Sequence, residues 1–169
     1  MTLPPDARLA RVVLDGEALT RLSPILEADR AQAVADLVSG SRFAPMAAKP
    51  ERAGAGPPAP GPYELHLSVW EGRLVFDVRH LDGAKVMVLG LALGPFRGLI
   101  KDYKLLVDSH IKAMEEGREA RIQAIDMGRR GLHDEGAALL SRRLDGKIEI
   151  DFETARRLFT LVCVLHTRV

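Results

Sequence analysis

From Tyr63 to Val78 apolar residues fall at every second position, and only the dipeptide Glu71-Gly72 interrupts the rhythm. Successive side chains of a strand point to opposite faces, so this pattern marks two half-buried strands. A two-residue connection fixes how they pair. Val69 then faces Leu74, Leu67 faces Phe76 and Leu65 faces Val78, while His66 meets Asp77 and Glu64 meets Arg79 on the other face. Both faces pair like with like in that one register, and a slip of one residue would ruin both. Asp82-Gly83 signals a second hairpin. The chain returns through Val86 to Leu93 with Met87, Leu89 and Leu91 on the apolar face, and with Val86 and Val88 on the opposite face, which is expected to be partly covered. The core is thus an antiparallel meander of three or more strands.

The residues after Gly94 change period. Phe96, Leu99, Ile100, Tyr103, Leu106, Val107, His110, Ile111 and Met114 follow the three-four spacing of one helical stripe, which Pro95 opens and Gly117 closes. A second helical region runs from about Glu119 to Leu144. After the turn Asp145-Gly146, Lys147 to Asp151 alternates as a short strand. Asp151 can then cap a last helix, Phe152 to about His166, with Phe152, Ala155, Leu158, Phe159, Val162 and Cys163 on its apolar face. Nearly every residue from Leu158 onward is apolar, so this helix should be the most buried. The fold class is α+β, with the meander packed on one face by the C-terminal helices.

Residues 1–43 are too few for a core of their own and should pack onto the body at 63–169, within a single domain. They offer a short apolar run, Leu9 to Leu14, and a helix from Pro24 to Ser39. Ser23 stands at its start and Gly40 at its end, and Leu26, Ala33, Val34, Leu37 and Val38 form its stripe. Residues 44–62 carry six Pro, six Ala and three Gly with no periodicity, which reads as a flexible or extended loop. It is either a variable insertion or a polyproline arm for a partner.

Charge and cysteine content narrow the function classes. Lys+Arg is 24 against Asp+Glu 23, a balance that argues against a dedicated nucleic-acid binder. A single cysteine excludes a disulfide-stapled domain, and Cys163 in its apolar run reads as a small buried hydrophobe. The longest uncharged apolar stretch, Val86 to Phe96, is 11 residues, against about 20 for a membrane span. With no signal-like start, a cytoplasmic location is expected.

One stretch breaks the rules of a good helix. Asp126 to Gly136 packs three glycines and six ionisable side chains into eleven residues. Each interior glycine costs a helix about 1 kcal/mol against alanine. Bare backbone at Gly128, Gly131 and Gly136 therefore points to the close approach of another element or a ligand. Arg129 interrupts the seam Ile122, Ile125, Leu132, Leu139 and needs a partner, either Asp126 or a carboxylate from elsewhere. Three readings remain: a structural ion pair with close helix packing, a ligand site for an anion, or a solvated loop. The ligand-site residues would be Asp126, Arg129, Arg130, His133, Asp134 and Glu135, with His133 the candidate proton carrier. A helical zinc site needs two histidines four apart, which this stretch lacks, so no metal is expected.

Other constellations are weaker. His66 opposite Asp77, with Ser68 nearby, resembles the oriented pair of hydrolases, but an ordinary cross-strand polar pair explains it. Arg129-Arg130, Arg142-Arg143 and Arg156-Arg157 could line a ridge for RNA or phosphate, or pair with nearby carboxylates. No phosphate-loop or dinucleotide motif is present, so no cofactor is expected.

The chain resembles the small alphaproteobacterial proteins of uncharacterised protein family 0262. The resemblance lies in Gly61 to Ser68, Pro95-Phe96-Arg97 with Lys101-Asp102-Tyr103, Gln123 to Gly136, and Gly146 to Leu161. It covers most of the chain from about residue 8, apart from the proline-rich insert. It implies a bacterial cytoplasmic protein and brings no catalytic residues. The leading functional reading is a non-enzymatic interaction or regulatory module, with a protein partner or as a homodimer. The alternatives are a small enzyme or binding protein for a phosphorylated or anionic ligand, and an RNA-associated factor.

Overall fold

The structure, a computed structural model, describes residues 4–15, 23–46 and 60–166. Strands β3 (Tyr63–Trp70), β4 (Arg73–His80) and β5 (Lys85–Ala92) form the meander. The first hairpin adopts the expected register at every pair, Val69 with Leu74 through Glu64 with Arg79. Its turn places Glu71 and Gly72 both at positive φ, as a two-residue hairpin turn of type I′ demands. At the second turn Gly83 has φ +93°, and Asp82 Oδ1 accepts from the Ala84 amide at 2.9 Å.

The N-terminal run is strand β1 (Leu9–Leu14), which lies parallel to β3 and makes the sheet mixed, in the order β1-β3-β4-β5. A parallel neighbour needs a long crossover. Helix α1 (Pro24–Ser39) lies in it, its first turn capped by Ser23 Oγ accepting from the Leu26 amide at 3.4 Å. Strand β2 (Phe43–Pro45) pairs antiparallel with β6 (Ile148–Ile150). The boundary expected at residue 44 therefore falls inside a strand, and most of the proline-rich insert, residues 47–59, lies outside the described residues.

A 3-10 turn at Gly94–Phe96 leads into α2 (Arg97–Glu115), followed by α3 (Glu119–Leu144) and α4 (Phe152–His166). Helix α3 runs unbroken through its three glycines, so the solvated-loop reading fails. Helix α4 touches α1, α2 and α3, and Leu161 through Leu165 are all buried in the core it shares with Leu65, Leu67, Phe76 and Val78. Asp151 caps it by accepting from the Thr154 amide at 2.9 Å.

Some expected burial is not realised. Phe152 is 49% exposed and Met114 58%, because both sit at helix ends beyond the packed stripe. Val88 is 57% exposed while Val86 is half-buried against the core, so the cover expected over the second face of β5 is found at Val86 and not at Val88. The outer face of the sheet also redistributes its charges. Glu64 pairs with Arg11 of β1 at 3.1 Å, and Arg79 turns to Asp77, its neighbour two residues back, at 2.7 Å. That pairing holds the Asp77 carboxyl below its ordinary pKa. His66 therefore bonds Asp15 through Nδ1 at 3.3 Å rather than Asp77, and the hydrolase-like pair does not form.

Candidate functional site

Three helices frame an open cleft of about 190 Å³. Helix α1 supplies Asp29, Gln32, Ala33 and Asp36, residues spaced so that they share one face. Helix α3 supplies Arg129 and His133, four apart, and α4 supplies Arg156, Arg157 and Thr160. One enclosed water needs about 10–15 Å³ on the same measure, so the cleft has room for a small polyatomic ion.

Asp29 organises the floor. Its Oδ2 accepts from the Tyr103 hydroxyl at 2.6 Å and from Arg129 Nη2 at 2.7 Å. Tyr103 of α2 is fully buried and needs an acceptor for its hydroxyl. Burial and the adjacent Asp29 charge push its pKa up, so it stays a phenol. The Asp29 and Arg129 side chains are only 18% and 19% exposed, which makes this a largely desolvated ion pair between α1 and α3. The structural reading of Arg129 thus holds, with a carboxylate from another helix as its partner. Asp126 faces α2 instead and stands 3.7 Å from His110 Nε2.

His133 is held on several sides. Its ring meets Tyr103 edge-on at 6.0 Å and Phe159 edge-on at 5.9 Å. Its Nδ1 lies 2.7 Å from the Arg129 carbonyl oxygen, which can only accept, so Nδ1 carries the hydrogen. In the neutral ring Nε2 is then the lone-pair acceptor. Burial pulls the His133 pKa down against the opposing hydrogen bond to the Arg129 carbonyl, and the Arg129 and Arg156 charges add to the lowering.

The remaining ion pairs loosen toward solvent. Arg157 bonds Asp36 and Glu153, each at 2.9 Å. Arg156 reaches Asp134 at 3.1 Å, and that carboxylate is 54% exposed. Exposed pairs of this kind hold their partners weakly. Arg130 and Glu135 are exposed and outside the cleft, so the Arg129-Arg130 clamp is not assembled; Arg156 stands where Arg130 was expected.

The three glycines behave differently from one another. A Cβ on Gly136 would lie 2.4 Å from the Phe159 ring, so only glycine lets that ring seat beside His133. A Cβ on Gly128 would meet Leu106 at an ordinary 3.5 Å, and one on Gly131 would meet nothing within 4 Å. Close approach is thus confined to Gly136. Cys163 is fully buried and its thiol pKa is raised by burial, as a packing residue requires. Among the described residues no group of three or more His, Cys, Asp or Glu stands together to hold a metal, and no helix is long and apolar enough to cross a membrane.

The model of the Uncharacterised protein family (UPF0262) matches residues 6–168. The chain belongs to that family. It is 66% identical over 163 residues to a UPF0262 protein of Granulibacter bethesdensis, covering 96% of this chain and 91% of the relative. A UPF0262 protein of Acidiphilium cryptum is 58% identical over 161 residues, 95% and 93% of the two chains. One of Bradyrhizobium diazoefficiens is 46% identical over 171 residues, 98% of each. No solved structure matches the chain. Family membership carries no activity to this cleft, so the chemistry has to come from its geometry.

Sequence reasoning found Arg129 and His133 but missed Asp29, Gln32, Asp36 and Thr160; it expected Arg156 and Arg157 to pair with nearby carboxylates, which they do, without placing them at this cleft. A signal for Asp29 existed: it interrupts the α1 seam of Leu26, Ala33 and Leu37, as Arg129 interrupts the seam of α3.

Proposed function

We propose that this UPF0262 protein is a cytoplasmic, non-enzymatic binding module that takes a small oxyanion, a phosphate or carboxylate group, in the cleft between α1, α3 and α4. One observation carries the reading. Arg156, whose carboxylate partner Asp134 lies outside the cleft and is half-solvated, lines it together with a histidine whose other ring nitrogen is an acceptor. A guanidinium has five N–H donors. Those of Arg129, Arg156 and Arg157 are only partly used by the carboxylates, so an oxyanion can be accepted without dismantling the Asp29 pair. A ligand group that also donates a hydrogen bond would satisfy His133 Nε2.

Binding rather than turnover is favoured by the surroundings of His133. A carboxylate behind Nδ1 is what stabilises an imidazolium during proton transfer. Here a main-chain carbonyl occupies that position; it and Asp29 support the charged ring, but burial and the two arginines outweigh them. His133 therefore rests as a neutral acceptor of hydrogen bonds.

Inorganic phosphate is the probe. Its saturable binding, with a Kd of order 1 mM or tighter, should perturb the His133 ring signals in NMR and raise that ring's pKa, since an anion opposes the arginines. Arg156→Ala should weaken binding about tenfold, equivalent to about 1.4 kcal/mol, and added salt should weaken it further. Unsaturable shifts, or wild-type affinity in both Arg156→Ala and His133→Gln, would overturn the reading. Turnover of an anionic substrate that is lost in His133→Ala would overturn its non-enzymatic part.

A further inference from the structure

The sheet order leaves β5 at an edge, and the composition of that edge is unusual. From Val86 to Gly94 the chain has no charge and no proline. Edge strands are normally blunted by charge, proline or a bulge, because unpaired main-chain groups recruit further strands; β5 has a bulge only at Val86, before the stretch Met87 to Leu91. Lys85 is the single charge, at the first residue of the strand. Among the described residues nothing pairs with its outer side.

The direction of the free groups follows from the first hairpin. Its two-residue turn makes Trp70 and Arg73 a hydrogen-bonded pair, and the bonding direction then alternates along β4. Leu74, Phe76 and Val78 point their main-chain groups toward β5, where Leu91, Leu89 and Met87 face them. The Leu93 amide bonding to the Gly72 carbonyl, on the same side of β4, agrees with that phase. The amides and carbonyls of Val88, Gly90 and Ala92 therefore point out of the sheet edge.

We infer that β5 pairs antiparallel with β5 of a second copy of this chain, joining two four-stranded sheets into one. A two-fold contact must be self-complementary, and this edge is. With Leu89 on the axis, Val88 bonds Gly90 of the second copy and the outward groups meet in phase. Met87 then faces Leu91 of the second copy and Leu89 faces its own counterpart. Met87 and Leu89 are only half-buried in the single chain although both lie on the core face, so the pairing completes their cover. A shift of one residue would put the apolar side chains of the two copies on opposite faces. The antiparallel sense also sets the two Lys85 ammoniums at opposite ends of the ladder, whereas a parallel ladder would bring them together.

The test uses the full chain in analytical ultracentrifugation. At about 100 μM, tighter than the millimolar range of chance contacts, the wild type should sediment at twice the chain mass of 18.5 kDa. Val88→Pro removes an outward amide without touching the ladder to β4, a place where an edge strand tolerates proline. It should sediment as a monomer with an unchanged circular-dichroism spectrum. Leu89→Cys checks the register and does not depend on the proline variant folding. Residues in a non-hydrogen-bonded pair lie about 4.5 Å apart between Cα atoms, within disulfide range. Mild oxidation should therefore give a cross-linked dimer on a non-reducing gel, with the native Cys163 buried and silent. A wild type that is monomeric at that concentration, or a dimer that survives Val88→Pro while Leu89→Cys does not cross-link, would overturn the inference.

Discussion

Alanine at Gly136 and alanine at Gly131 should move stability in opposite directions, although both positions lie in the interior of α3. A glycine-to-alanine change in a helix gains about 1 kcal/mol from backbone propensity. At Gly131 nothing stands within 4 Å of the new Cβ, so the gain should appear undiminished. At Gly136 the Cβ would meet three Phe159 ring atoms at 2.4 to 2.5 Å, against a normal carbon contact of about 3.5 to 4 Å. The ring has little room to retreat, being fully buried with His133 edge-on to it at 5.9 Å. Overpacking of this kind costs about 3 kcal/mol at the upper end of its usual range. Less the propensity gain of about 1 kcal/mol, Gly136→Ala should lose about 2 kcal/mol.

Urea unfolding reads both changes, with the slope held constant as a check that only stability moved. For a chain of this size the midpoint temperature should rise by about 2–4 °C in Gly131→Ala and fall by about 4–8 °C in Gly136→Ala. A double-mutant cycle with Phe159→Leu isolates the cause, because removing the ring should turn the loss in Gly136→Ala into a gain of up to about 1 kcal/mol. Equal stability of the two alanine variants would refute the claim that ring seating fixes glycine at 136. A destabilised Gly131→Ala would refute the assignment of open space there.

Asp29→Ala should cost about 3 kcal/mol, because it leaves both the Tyr103 hydroxyl and the Arg129 guanidinium without their acceptor. Asp134→Ala, which breaks a solvated pair, should cost less than about 0.5 kcal/mol by the same denaturation assay. The depressed pKa of His133 means that between its folded and unfolded values only the unfolded chain holds the proton. Stability should therefore be full above the ordinary histidine value of about 6.5 and fall as pH drops below it. Melting curves at pH 7 and pH 5 should show a smaller drop for His133→Gln than for the wild type. Asp151→Ala removes the cap on α4 and should cost about 1 kcal/mol in thermal unfolding.

What could be read in advance follows the range of the forces involved. The register of the β3–β4 hairpin rests on a two-residue turn and on alternation, both local, and each of its pairs is found as expected. The starts of α1 and α4 were likewise legible in Ser23, Pro24 and Asp151, because caps act within a turn of the helix end, and the breaks on either side of α3 in Gly117 and the turn Asp145-Gly146. The parallel pairing of β1 with β3 and the small β2–β6 ladder join segments far apart in sequence, and no local pattern reports such a match.

The cleft shows the same division inside a single residue. That Arg129 needed a carboxylate followed from its place in an apolar stripe, a property of α3 alone. Which carboxylate it took did not, because that depends on how α1 is rotated against α3. Asp126 is the near neighbour in sequence, yet it sits one position along from Ile125 on the side toward α2 and meets His110. Asp29 lies 100 residues away and interrupts its own helix's stripe. An acid breaking one apolar seam and a base breaking another cannot both be buried unpaired, since each alone would cost several kcal/mol. That cost favours helix rotations that bring the two interruptions together. The pair of broken seams was therefore visible in the residues, and the rotation of α1 against α3 in the structure is one that lets each satisfy the other.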